Sequence, residues 1–381
     1  MAMSAHRVKQ AAVTAGRMLA WRVHAYGGVD ELRLEPARKP ALRAPSDVLV
    51  QVHSSSLNPL DTAMIEGYGR TALGAWRKLE GLPEDALPLT VGRDFTGEVV
   101  RAGPDAKYRP GDQVWGVVPP HRTGAHAEFV VVDHGLLGPL PSTMSDITSG
   151  GGGALYCGLT ALSALRTGGV EGAGGAGARV LLLGLGGVGQ AALQLLRHAG
   201  AQVTVGCSAE CREVARALGA SAVLDRNAED YSRLLEDHGP YDVTFDCAGL
   251  GGAILPSLVS LSRRVVSLTS PVLRETDARG LCLGAAAAAA KLVEDNVTVL
   301  GRTGLAGAPR APPVRWAFFT PSADGILLLG KLAEKKKYVV IVEDTYPWWA
   351  AAEAYQRLTQ GHLRGKLILD FTADAPAEEV K

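Results

Sequence analysis

The chain has 381 residues, 47% of them hydrophobic, and Lys+Arg and Asp+Glu each total 39. This length allows two domains with sizeable cores, and the balanced charge excludes a nucleic-acid or membrane surface built on bulk charge. No apolar run approaches the roughly 20 residues of a membrane span, and five cysteines are too few for a disulfide framework, which points to a reducing compartment.

The first 29 residues contain no Asp or Glu. They carry Arg7, Lys9, Arg17 and Arg22 among Ala, Ser and Thr, a composition similar to a mitochondrial transit peptide. Residues 1–18 are therefore expected to be a presequence, ahead of a first strand near Leu19–His24. Short β-type runs follow at Val48–Val52, Thr96–Val100, Gln113–Val117 and Glu128–Val132, bounded by turn signals such as Arg109-Pro-Gly-Asp112. They predict a mainly β domain. From Leu155 strands alternate with helices. The six expected strands are Val180–Leu183, Gln202–Val205, Ala222–Leu224, Asp242–Phe245, Arg264–Leu268 and Val297–Leu300, the pattern of an α/β doubly wound parallel sheet. Gly168–Gly177 reads as a flexible loop and Ala285–Ala290 as part of a helix. Beyond these, a helix at Ile326–Glu334, a strand at Tyr338–Val342, a helix at Tyr346–Gln360 and a strand at Leu367–Phe371 are predicted to complete the β domain. Residues after Thr372 read as a polar tail.

The most specific motif is Arg179-Val-Leu-Leu-Leu-Gly-Leu-Gly-Gly-Val-Gly-Gln190. A strand runs into G-x-G-x-x-G and then into a helix, which is the dinucleotide-binding fingerprint in its proper context. Gly184 allows the tight turn, Gly186 lets backbone approach a pyrophosphate, and Gly189 lets the helix pack on the strand. Gly187 and Val188 open that helix, whose N-terminus faces the anion. An NAD-specific sheet needs an acid at the end of its second strand, about 20 residues beyond the glycines. Here that point reads Val203-Thr-Val-Gly-Cys-Ser208, with no acid at the strand end. Ser208, Arg212 and Arg226 can instead supply hydroxyl and cationic donors to a 2′-phosphate. The alternative is that Ser208 caps a helix and Arg212 is merely solvated. The expected cofactor is NADPH.

Three segments carry a family resemblance: Ser56-Leu-Asn-Pro-Leu-Asp61, Gly92-Arg-Asp-Phe-Thr-Gly-Glu98 and Pro110-Gly-Asp-Gln-Val-Trp115. With them the chain resembles the zinc-free quinone oxidoreductase branch of the medium-chain dehydrogenase/reductase superfamily. Gly67-Tyr-Gly69, Val118-Pro-Pro120, Val314-Arg-Trp-Ala-Phe-Phe319 and Gly361-His-Leu-Arg-Gly-Lys366 are similar to its mitochondrial, reticulon-interacting group. The resemblance implies a GroES-like domain from residues 19–154 and 320–381, with a Rossmann NADP(H)-binding domain at 155–319 inserted. It implies hydride transfer to a quinone or other conjugated carbonyl, linked to ubiquinone metabolism, and it is compatible with a homo-oligomer. The glycine loop here is tighter than the family's longer, Ser-containing form. Arg226 stands where the family places a tyrosine beside the adenosine.

The catalytic set implied is Asn58 as an amide donor, Tyr68 as a phenol donor or proton source, and Thr160 as a hydroxyl toward the nicotinamide. Asn58 before a proline also reads as an ordinary turn residue, and Thr160 as a helix cap. Trp316, Phe318 and Phe319 offer an aromatic wall for a quinone ring, or simple packing. The cofactor contacts expected are Gly184, Gly186, Gly187, Val188, Gly189, Ser208, Arg212, Arg226, Thr269, Phe318, His362 and Arg364, with Lys366 a further candidate. No metal is expected. A catalytic zinc needs thiolate, imidazole and usually carboxylate ligands, whereas Asn58–Asp61 and Gly92-Arg93-Asp94 fill those places and no cysteine precedes Cys157. Cys207 and Cys211 form only C-x-x-x-C. His121, His126 and His134 read as surface or capping residues. A different class of function is an NADPH-binding scaffold that engages a reticulon-type membrane protein with little turnover. No basic-aromatic segment recommends an RNA partner.

Overall fold

The computed structural model describes residues 16–258, 261–302 and 314–375. The chain divides into two compact units, Met1–Tyr156 with Pro321–Lys381, and Cys157–Thr320.

The first unit holds β1 (Met18–Val23), β2 (Arg33–Ala37), β3 (Asp47–Ser56), β4 (Leu89–Thr90), β5 (Asp94–Ala102), β6 (Gln113–Val117), β7 (Phe129–Asp133) and β8 (Leu137–Pro139). The second unit supplies β9 (Arg179–Leu183), β10 (Gln202–Cys207), β11 (Ala222–Asp225), β12 (Val243–Asp246), β13 (Val265–Ser267) and β14 (Val314–Trp316). The chain then returns to the first unit with β15 (Val342–Pro347) and β16 (Lys366–Asp370).

Strand β3 is the hub of the first unit. It pairs antiparallel with β5, β7 and β16. Its β-branched Val48, Val50 and Val52 alternate onto one face and join Val99, Val114, Val130 and Val132 in a core. A register shift against β5 between Val52 and Ser54 then turns the strand end. Ser54, Ser55 and Ser56 are all buried there, and their hydroxyls meet Thr96 Oγ1, the Asp94 carbonyl and Asp94 Oδ1. The bulge thus converts an apolar strand into a polar site.

In the second unit all six strands run parallel in the order β11-β10-β9-β12-β13-β14. Counted within the unit this is 3-2-1-4-5-6, the Rossmann order, with its crossing point where β9 meets β12. Leu181, Leu183, Leu224, Leu258 and Val265 fill one core beneath it. The fold is therefore α/β, with a doubly wound parallel sheet inserted between two stretches of a mainly β unit.

Three expectations need correction. Val297–Leu300 is not a strand but part of the Leu281–Arg302 helix; the alanine run propagates helix past residues of β-type composition. The sixth strand is β14. Tyr338–Val342 is not a strand either, because the buried Tyr338 donates its hydroxyl to the Ala154 carbonyl at 2.6 Å, and the strand begins at Val342. The helix expected from Tyr346 starts at Ala351, since Tyr346 and Pro347 belong to β15. The presequence expectation lies outside the described residues up to residue 15, while Met18 already opens β1. The polar tail from residue 376 also lies outside them.

Candidate functional site

Three glycines shape the loop after β9. Gly184 adopts φ +89°, a left-handed conformation that favours glycine, and a Cβ there would lie 2.9 Å from the Ala248 amide nitrogen. At Gly189 a Cβ would lie 2.3 Å from the Gly184 carbonyl oxygen, so the helix packs directly on the turn. At Gly186 a Cβ would meet nothing within 4 Å. Gly186 precedes the Gly187–His198 helix, and no side chain caps it. The first-turn amides, those of Gly187, Val188 and Gly189, thus stand over open space, where an anion is favoured by both donors and dipole. These residues fit the pyrophosphate of a dinucleotide.

Neighbouring loops are held against this cradle by Asp246, buried at the end of β12. Its carboxylate accepts from the amides of Ala248 (3.2 Å), Leu250 (3.1 Å) and Gly251 (2.7 Å), and from Ser267 Oγ (3.3 Å). The sequence reading passed over this residue, although an acid closing a buried parallel strand is a signal for such a loop clamp. Thr269 follows β13, exposed, with its amide donating to Ser267 Oγ at 3.1 Å. Phe318 follows β14 and is 48% exposed. All of these lie at the carboxyl edge of the parallel sheet, where such sheets bind ligands.

Ser208, Arg212 and Arg226 come together beyond β10 and β11. Cys207 and Asp225 are paired in register, and the Arg226 amide donates to the Cys207 carbonyl at 2.9 Å. Ser208 begins a 3-10 turn, with its hydroxyl 3.8 Å from Cys211 Sγ. The Cys207 thiol is pushed up to about 11, chiefly by burial and further by Cys211 and Asp225, while Arg212 and Arg226 oppose the shift. Both cations therefore stand near one strand end. One Arg212 nitrogen lies 4.0 Å from Asp225 Oδ2, an acid on the third strand rather than the second.

The other candidates lie in the first unit or in the helix that opens the second. Asn58 is 1% exposed. Its amide nitrogen lies 3.3 Å from both Ser56 Oγ and Asp94 Oδ1, and its carbonyl oxygen accepts from Lys366 Nζ at 2.7 Å. Asp94 Oδ2 also accepts from the Tyr156 amide at 3.0 Å. Burial raises the Asp94 pKa, and Lys366 and the hydrogen bonds of Ser56, Tyr156 and Asn58 counter it. Beside this group Asp61 accepts from the amides of Gly92 (2.8 Å) and Asn58 (2.9 Å) and faces Arg93 Nε at 3.5 Å. The places a metal's ligands would take are thus filled by an amide, a lysine and hydrogen-bonded carboxylates. This donor set does not fit zinc. Among the described residues no group of three or more His, Cys, Asp or Glu could hold a metal ion.

His126 is fully buried, not a surface residue. Tyr355 Oη lies 3.0 Å from its Nδ1, and its Nε2 is 3.1 Å from the Ser56 carbonyl. Burial dominates its pKa, holding it at about 4 against an ordinary 6.5. An unfolded chain takes up this proton below pH 6.5, and the folded one not until about 4. The stabilisation is therefore complete above pH 6.5 and is lost as pH falls toward 4, about 3 kcal/mol in all. Asp94, with its raised pKa, works in the opposite direction. Thermal melts between about pH 7 and pH 4.5 should show a smaller acid loss in His126→Gln than in wild type; equal losses would contradict the assignment.

Tyr68 is presented between Gly67 (φ +91°) and Gly69 (φ +80°), both left-handed. Half-buried, it lines a cavity of about 20 Å3 with Tyr26, Met64, Leu73, Arg77 and His121, among others. Asn58 is not among the lining residues. His121 is also buried rather than superficial, whereas His134 is half-buried in a 3-10 turn. Thr160 is 8% exposed in the Leu155–Gly168 helix of the second unit. His362 (φ +54°) and Arg364 are exposed in the first unit, and the Arg364 amide donates to Glu343 Oε2 at 2.6 Å.

Residues 44–142 match the family described as the alcohol dehydrogenase GroES-like domain, and 218–369 match the family described as zinc-binding dehydrogenase. A relative in Drosophila melanogaster, NAD(P)H oxidoreductase RTN4IP1, mitochondrial, is 38% identical over 371 residues, covering 93% of this chain and 87% of that protein. Reticulon-4-interacting protein 1, mitochondrial, of Caenorhabditis elegans is 34% identical, covering 93% and 95%. Among solved structures, the quinone oxidoreductase from Coxiella burnetii aligns with a TM-score of 0.73 at 25% identity, covering 93% of this chain and 99% of that one. A Rossmann sheet inserted in a GroES-like unit is the medium-chain dehydrogenase/reductase fold. Within that superfamily the chain belongs to the family of the NAD(P)H oxidoreductase RTN4IP1, nicotinamide-dependent oxidoreductases.

Proposed function

We propose that the protein is a zinc-independent, NADPH-dependent reductase that delivers hydride to a quinone or other conjugated carbonyl. The observation that carries this reading is the open glycine cradle followed, at the next two strand ends, by Ser208, Arg212 and Arg226. A hydroxyl and two guanidiniums are the donor set for a 2′-phosphate. The names of the Drosophila and Coxiella relatives support the mitochondrial setting and the quinone acceptor, with a ubiquinone-type ring as the natural mitochondrial case.

When bound, the cofactor supplies the hydride. The protein's share is positioning and charge. Tyr68 donates its phenolic hydrogen to the acceptor oxygen as charge grows there. Asn58, clamped between Lys366 and Asp94, fixes the polar floor of the first unit, and Thr160 offers a hydroxyl toward the nicotinamide. Phe318 and its neighbours Trp316 and Phe319 provide flat apolar surface for a ring. His362 and Arg364 are proposed to add cofactor contacts from the C-terminal segment.

NADPH oxidation with a panel of benzoquinones and 2-alkenals tests this directly. The wild type should turn over, and Tyr68→Phe should lower kcat about 100-fold with little change in NADPH affinity. Tight NADPH binding with no turnover of any acceptor would favour the other reading, a scaffold for a reticulon-type protein, which the name of the C. elegans relative supports.

A further inference from the structure

We propose that His121, coupled to Glu80, returns to Tyr68 the proton that Tyr68 gives to the acceptor. The inference rests on the reductase reading above.

Three observations meet at this ring. His121 and Tyr68 line the same small cavity, whose roughly 20 Å3 holds one water. The His121 Nε2 lies 3.1 Å from Glu80 Oε1, and because a carboxylate only accepts, Nε2 carries the hydrogen. That leaves Nδ1 as a bare acceptor. It is buried and has no hydrogen-bond partner among the described residues. An unpaired buried acceptor costs about 1–3 kcal/mol, so it calls for a ligand or a role. A water in the cavity would satisfy it and connect it to the Tyr68 hydroxyl.

The surroundings hold the ring for this purpose. Trp76 stacks on it with ring centres 4.4 Å apart and planes 11° from parallel. Arg77 donates to the His121 carbonyl at 2.9 Å and thereby fixes the backbone. Glu80 is itself partly exposed and pairs with Arg122, so it links the buried ring to solvent. The charged groups facing the imidazole are Glu80, which favours its cation, and Arg122 and Arg77, which oppose it. Burial is the largest influence, and together these hold the His121 pKa below the ordinary value. The ring is thus neutral at rest and readily gives up a proton once it has one.

The proton balance is simple. As the acceptor carbon takes hydride, the carbonyl π pair moves to oxygen, and that oxygen takes the Tyr68 proton. The tyrosinate draws a proton from the cavity water, and the water is restored by Nδ1–H of the His121 imidazolium. His121 returns to its neutral form and is recharged from solvent on the Glu80 side. It acts through Tyr68 and is a positioning residue in this sense.

The test uses His121→Phe, which keeps a flat ring over Trp76, and His121→Gln. With a benzoquinone acceptor, both should lower kcat about 10- to 100-fold while NADPH affinity stays at the wild-type value. Wild-type kcat should fall as pH rises and the imidazolium is lost; both variants should lack that limb. A second readout needs no turnover: in the cofactor-free protein, the His121 Nδ1 NMR resonance should shift in Tyr68→Phe. If the wild type turns over and Tyr68→Phe is slow, but both His121 variants keep the rate and the pH limb, the relay is wrong. If no acceptor is reduced at all, the reductase reading fails instead; a His121 resonance unmoved by Tyr68→Phe overturns the relay in either case.

Discussion

Arg93→Met is expected to destabilise the first unit by about 3–5 kcal/mol, the usual cost of removing one partner from a buried ion pair. Arg93 is 0% exposed. One terminal nitrogen donates to the carbonyls of Pro119 (3.0 Å), Arg122 (3.2 Å) and Pro120 (3.4 Å), and the other to Thr90 (3.1 Å). Its Nε faces Asp61 at 3.5 Å. Methionine fills the space of the stem but supplies none of these donors. It would strand four carbonyls and leave the Asp61 carboxylate without its cation. For a unit of this size the melting temperature should fall by about 6–20 °C. Asp61→Asn added to the variant should recover part of the loss, because the orphaned charge disappears. A melting temperature within about 2 °C of wild type would refute the account.

Replacing both Arg212 and Arg226 with alanine should weaken NADPH binding about 100-fold and change NADH binding by less than about threefold. Two charge-assisted hydrogen bonds contribute about 1.5–3 kcal/mol each. The sum must be discounted, since Arg226 is exposed and Arg212 is 42% exposed and shares its charge with Asp225. Titration calorimetry or fluorescence quenching with both cofactors measures the ratio. Equal losses for NADPH and NADH would show that the arginines do not read the 2′-phosphate, and the cofactor preference would have to be withdrawn.

Much of this architecture was legible in the residues. The strand-and-helix alternation from Leu155 onward names a doubly wound sheet because buried parallel strands are short apolar runs with little else to be. The glycine loop is legible for a stronger reason: Gly184 and Gly189 sit where any side chain would meet backbone. What escaped the sequence was decided by partners far along the chain. Val297–Leu300 has strand composition but inherits the conformation of the helix running into it. His126 looked superficial because nothing near it in sequence predicts Tyr355 as its partner. Asn58 was legible as a polar residue before a proline, whereas its engagement with Asp94 and Lys366 depends on strands β5 and β16 arriving beside it.

That last arrangement bears on how the chain is made. Ser56 pairs with Ile368, and Lys366 closes on Asn58 across 308 positions. A ribosome adding about 5–20 residues per second would take roughly 15–60 s between synthesising the two partners. Through that interval the second unit, whose six strands are contiguous in the chain, can fold on its own. The first unit must wait, with the edge of β3 unpaired and a cluster of ionisable groups unable to find their counter-charges. Newly made protein should therefore pass through a half-finished form whose amino-terminal third is the part most in need of a chaperone.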